Sequence, residues 1–317
     1  MAKTKKYAAI SAAVLLLIFM LALSPARYAA ACMEGLSLWA KAVLPALFPF
    51  FILTAILTKL GAAEKLADKL TPLTRRCKLP GIAAYCFLMS ILSGYPVGSR
   101  IIADLAASGS ITPAQAGRMS VLCSTSGPMF LLGSVGSAMY CSAKAGAILL
   151  AAHLLAVLLV CLLCLPFAKP LPDSPPKKTL RSADNILYES VHGAVISILC
   201  VGGFIAAFYV LSLALSDLYI LWPIEHFFGL FLPEQAAKGI AAGLLEATHG
   251  CALLAASGSP LALPLTAFAV TFGGACILAQ QLGYLKSAGV KAGPFICMKA
   301  AQGIAAFLLC WALIAIF

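Results

Sequence analysis

Apolar runs at residues 7–23, 43–60, 81–98, 119–141, 146–168, 191–215, 239–257, 261–284 and 295–317 leave little of this chain fit to face water. Each reaches or approaches the ~20 residues that a helix needs to cross a bilayer. In lipid only helices and closed barrels satisfy their own backbone, and runs of this length read as helices. Composition agrees: 62% of residues are hydrophobic and 10% charged, against roughly 25% charged in a soluble domain. Lys and Arg number 22 against 11 acidic residues, and most lie between the apolar runs, where they report topology rather than nucleic-acid binding. Two further stretches, 29–42 with Trp39 and 219–232 with Trp222, Phe227 and Phe228, read as interfacial helices.

The N-terminus, with Lys3, Lys5 and Lys6 ahead of the 7–23 run and Ala22-Leu23-Ser24 after it, has the form of a signal peptide. Pro25 and the later spans favour an uncleaved first helix with its positive end in the cytoplasm. The 12 cysteines are scattered, with Cys86, Cys123, Cys161, Cys164, Cys200, Cys276 and Cys310 inside apolar runs. That placement excludes a disulfide scaffold and reads as small core residues. Cys161-x-x-Cys164 lies in Leu-rich sequence with no charge to activate a thiol, so no metal or redox site is expected.

Two runs are interrupted, at Ser93-Gly94-Tyr95-Pro96-Val97-Gly98-Ser99-Arg100 and at Glu246-Ala247-Thr248-His249-Gly250. Read as re-entrant hairpins, with the N-terminus inside, they leave only Arg27, Lys41, Lys144 and Lys238 of the 22 cations outside, and Lys299 counts with the inside set. Read as full spans, they would put Arg100 and Arg118 outside, against the positive-inside bias. The expectation is an all-α polytopic membrane protein of two inverted-topology repeats, each with a re-entrant helical hairpin and a broken span, plus an N-terminal extra helix. The divisions are an anchor and interfacial helix at 1–42, a first repeat at 43–168, a Pro-rich cytoplasmic linker at 169–189 and a second repeat at 190–317.

Broken helices are tolerated at membrane depth only against protein or a wet cavity, and half-helix N-termini there suit an anionic group. Four irregular patches fall at matching places in the halves, and they nominate a substrate site of Ser93, Gly94, Tyr95, Ser124, Thr125, Ser126, Gly127, Glu246, Thr248, His249, Gly250, Thr271 and Gly273. A carboxylate at the bilayer centre costs about 3 kcal/mol on insertion scales, which makes Glu246 the sharpest of them. Its alternatives are a hydrogen-bond acceptor for substrate, a coupling-ion site, or a group bonded to a neighbouring helix end. Arg100 and Asp104 read as an i,i+4 structural pair, His153 and His192 as packing residues, and Gln280 and Gln281 as residues that could line a path. No Walker loop, H-E-x-x-H or G-x-S-x-G occurs, so neither an enzyme nor a cofactor is expected.

Three stretches, Leu44-Pro45-Ala46-Leu47-Phe48-Pro49-Phe50-Phe51, the 93–100 patch and Ser126-Gly127-Pro128-Met129-Phe130 with Gly133, resemble the sporulation integral membrane proteins of the YlbJ or SpoVV type, in the nucleoside-recognition or Gate family. Glu246-x-Thr248-x-Gly250 is similar to an E-x-T-x-G element of the second half of such proteins. The resemblance implies a permease in the bacterial cytoplasmic membrane, or in the outer forespore membrane, that moves dipicolinic acid, a small dicarboxylate, towards the forespore. Its expected partners are that solute or a nucleoside-like one, the lipid bilayer, and either copies of itself or a sporulation membrane protein, with no nucleic acid. The rival readings are a gate or scaffold subunit that moves nothing alone, and a nucleoside transporter.

Overall fold

A computed structural model describes residues 2–61, 65, 69, 72, 74, 76–167 and 185–316. Half of residues 59–78, a stretch rich in Lys and Arg, and residues 169–184 of the expected linker lie outside the described residues. Among the described residues the chain is helical, with no strand.

Helix α1 (Ala2–Leu23) stops at Ser24, and Pro25, tolerated at a first helical position, opens α2 (Pro25–Leu38). A π-helical turn (Trp39–Val43) carries α2 on into α3 (Leu44–Lys59) without a break. The stretch 29–42, expected along the interface, is therefore the first half of an apolar helix running from Pro25 to Leu57. Its partner is α9 (Ile186–Asp217), whose small residues admit close contact. A Cβ on Gly202 would lie 2.7 Å from the Trp39 ring, and one on Gly35 would lie 3.0 Å from that of Tyr209. At one end of this pair Tyr28 donates its hydroxyl to Asp217 at 2.9 Å and Arg27 pairs with the same carboxylate. At the other, Lys59 pairs with Glu189. α9 begins at Ile186, so the last residues of the expected linker are helix.

After α3 the first half continues through α4 (Ile82–Ser93), α5 (Val97–Ala107), α6 (Pro113–Leu122), the π-helical α7 (Phe130–Met139) and α8 (Ala143–Cys164). After α9 the second half runs through α10 (Trp222–Gly229), α11 (Glu234–Leu245), α12 (Ala247–Ala256), α13 (Ala262–Phe272), α14 (Gly274–Leu285) and α15 (Ala292–Ile316). Among the described residues five helical runs are long and apolar enough to cross a membrane: Pro25–Leu57, Ala143–Cys164, Ile186–Asp217, Ala262–Leu285 and Ala292–Ile316. With 12 and 11 residues, α4 and α5 are roughly 17 Å long each, and α11 and α12 are similar, so none alone crosses ~30 Å of hydrocarbon. α10 has no buried residue and exposes Trp222 and Phe227, in keeping with an interfacial helix.

Each short pair turns back on itself for a local reason. Between α4 and α5, Gly94 takes a left-handed φ of +77°, and the Cys86 thiol reaches the Gly98 carbonyl at 3.5 Å across the pair. Between α11 and α12 the single residue Glu246 is extended, and the arms close on glycine. Gly243 faces Gly250, where a Cβ would lie 2.3 Å from the Gly243 Cα. The next helices are interrupted lengthwise, α6–α7 by residues 123–127 and α13–α14 by Gly273, at φ +91°. One core cluster joins Leu47, Phe130, Leu149, Val201, Cys251, Val270 and Cys310, so the halves share an interior rather than folding apart.

Candidate functional site: a small cavity where the helix breaks meet

The interruptions converge. A cavity of about 50 Å³, room for a few waters, is lined by Tyr95, Ser126, Gly127, Glu246, Thr248 and Gln280, with Val43, Leu47, Phe130, Val201, Ile205 and Val270 as its apolar wall. Five of the nominated residues thus share one wall. They come from the first turn, the first broken span and the second turn.

Glu246 is 1% exposed. Its Oε1 accepts the Thr248 N–H at 3.0 Å and its Oε2 the His249 N–H at 2.7 Å. The carboxylate therefore caps α12, and the positive end of that half-helix compensates a charge otherwise costly at this depth. The N-terminus expected to face an anionic solute is filled by the chain's own carboxylate, which still forms part of the cavity wall.

The first half is bound by hydroxyls and backbone. Ser93 donates to Thr54 at 3.0 Å, and Thr54 to the Phe50 carbonyl at 2.7 Å. Thr125 and Ser90 share a hydrogen bond of 2.8 Å. Gly94 abuts the break: a Cβ there would sit 2.6 Å from the Gly127 nitrogen. Ser124 donates to Gln281 Oε1, which also accepts from Ser99 at 3.1 Å. Gln281 Nε2 is buried with no partner among the described residues.

Across the halves, Tyr95 donates its hydroxyl to the Thr271 carbonyl at 3.1 Å, which the left-handed turn at Gly273 leaves near the end of α13. Gly250 packs the hairpin arms and lies off the cavity wall, and Gly273 supplies the break itself. His249 stacks on Tyr209 with centroids 4.6 Å apart, and its Nδ1 is buried with no partner among the described residues.

Two residues read otherwise from sequence join the site. His153, expected as packing, accepts the Ser126 N–H at Nε2, 2.9 Å away. A ring nitrogen that accepts carries no proton, so Nδ1 carries it and donates to Thr271 Oγ1 at 2.9 Å. Lys299, expected at the cytoplasmic face, is 0% exposed, and its Nζ donates to the Tyr95 hydroxyl and the Ser124 carbonyl, each at 3.0 Å. The last helix of each half, α8 and α15, thus sends one side chain to the break of the first half. Arg100 reaches Ser197 on α9. Among the described residues no cluster of His, Cys, Asp and Glu could hold a metal, and Cys161 and Cys164 are both free.

This geometry lies in a chain with recognisable relatives. Residues 40–169 match the Gate family, described as nucleoside recognition. The chain is 28% identical over 299 residues to the sporulation integral membrane protein YlbJ of Bacillus subtilis (strain 168), an alignment covering 85% of this chain and 73% of that one. No solved structure matches. The resemblance carried by the 93–100 and 126–130 motifs is therefore found along most of the sequence, and the chain is a multi-pass membrane protein similar to YlbJ, with residues 40–169 similar to the Gate family.

Proposed function

We propose that this protein is a permease for a small polar, anionic solute, built from two inverted repeats whose short helix pairs are re-entrant hairpins. One observation carries the reading: interrupted backbone from both halves lines a single buried cavity. Such interruptions are tolerated at membrane depth where a solute path needs them. At about 50 Å³ the cavity is too small for a dicarboxylate, so transport requires the halves to part. Dipicolinate is the first candidate, because the relative is a sporulation protein and the motif resemblance implies that solute.

Purified protein in liposomes, with no partner present, is the direct test. Accumulation of dipicolinate supports the reading, and the absence of flux for every small anion tried assigns the chain to a gate or scaffold role. The Gate match, described as nucleoside recognition, favours a second reading with a nucleoside substrate. Competition between dipicolinate and uridine for binding decides between the two. The inverted arrangement has its own check in a cysteine-free background. Ser108→Cys and Ala256→Cys, at exposed positions at the outer ends of the two hairpins, should label from opposite faces of the membrane.

A further inference from the structure

Lys299 is the largest side chain held wholly out of solvent, eight residues into α15. No carboxylate lies within ion-pair distance of it among the described residues. Its ammonium is met by a phenol hydroxyl and a backbone carbonyl that the 123–127 break frees from helix hydrogen bonding. Neutral oxygens at the end of a broken helix are the ligands a hard monovalent cation takes, and unwound carbonyls of this kind hold coupling ions in broken-helix transporters. Lys299 is absent from the cavity wall, with Tyr95 between them. It acts on a solute through Tyr95 and through its field.

Resting on the permease reading, we infer that the Lys299 ammonium is a built-in cation, occupying the place of a coupling metal ion between the Tyr95 hydroxyl and the Ser124 carbonyl, so that anion transport proceeds without Na⁺. The position carries two jobs. The tethered charge holds the turn of the first hairpin to the broken span. It also adds a positive charge behind Tyr95, which lines the cavity, and so favours an anion there. Lys299 is a positioning residue, and its removal leaves an oxygen-lined vacancy with the size and charge preference of a small cation.

Thermal unfolding of the purified protein tests this without reference to flux. The wild-type midpoint should be unchanged when Na⁺ replaces choline. That of Lys299→Ala should rise with Na⁺ or propylammonium, which supplies the atoms removed, and not with propanol. A wild-type midpoint that climbs with Na⁺, or a Lys299→Ala protein indifferent to both cations, overturns the inference. Should Lys299→Ala not accumulate, the wild-type measurement decides alone, and Lys299→Gln, which keeps a donor without the charge, should bind dipicolinate at least tenfold more weakly. In liposomes, wild-type uptake in choline medium should equal that in Na⁺. Flux that needs Na⁺ refutes the built-in cation and keeps the permease, whereas absence of flux with the unfolding pattern intact refutes the permease alone.

Discussion

The two hairpin turns face the same cavity and are secured by opposite means. The second is self-contained: Glu246 caps its own following helix, and Gly243 and Gly250 bring the arms into backbone contact. The first is held from outside. Ser93 leans on α3 through Thr54, Gly94 on the break at Gly127, and Tyr95 on α13 and on Lys299 of α15. A turn stabilised by its own chemistry keeps its shape when its neighbours move. One stabilised by four partners changes when any of them does. The first turn is thus the side on which a change in either half is felt.

The sharpest way to break this contrast is Glu246→Gln. Gln keeps one acceptor oxygen where the carboxylate uses two, so its NH2 group faces one of the Thr248 and His249 N–H donors, and uptake should be abolished while the amount of protein in the membrane stays the same. Wild-type uptake by this variant would remove Glu246 from the mechanism. Next in size, Gly250→Ala drives a Cβ into the opposing arm and should cost about 2–3 kcal/mol, read as a lowered unfolding midpoint. If the arms absorb it without loss, the second turn is not the rigid one. Tyr95→Phe should cost about 1–2 kcal/mol, because the Thr271 carbonyl loses its donor and Lys299 an acceptor. The part of the loss that runs through Lys299 should vanish in a Lys299→Met background while the part from the Thr271 carbonyl remains, and full additivity of the two changes would show that the residues are not coupled. The smallest effect belongs to Gly193→Ala in α9, where an added Cβ meets nothing within 4 Å. A change between zero and a gain of about 1 kcal/mol is expected there from helix propensity.

The sequence made the breaks legible because Gly, Pro and a lone carboxylate stand out in apolar runs. Those signals are local, and Tyr95, Ser126, Gly127, Glu246 and Thr248 were found by them. Partners contributed from far along the chain were not visible in this way. His153 has no polar neighbour in α8, and its two partners are 27 and 118 residues away. Lys299 follows Lys286 and Lys291, so it reads as one more topological charge. Its depth in α15, about 11 Å along the axis at 1.5 Å per residue, was the available signal against that reading. The continuity of α2 with α3 was hidden by Arg27, Glu34 and Lys41, whose polarity suggests an interface. Tyr209 and Gly202, which bury that stretch, lie over 160 residues later in the chain.

The glycine contact between α11 and α12 has a mechanical consequence. Where Gly243 meets Gly250 no side chain separates the arms, and further out Leu254 seats against Gly239, so the helices interlock and the pair tilts as one lever. Any displacement of its outer ends is delivered undiminished to the Glu246 turn, so opening the cavity on that side amounts to swinging a stiff rod about the turn that joins α12 to α13.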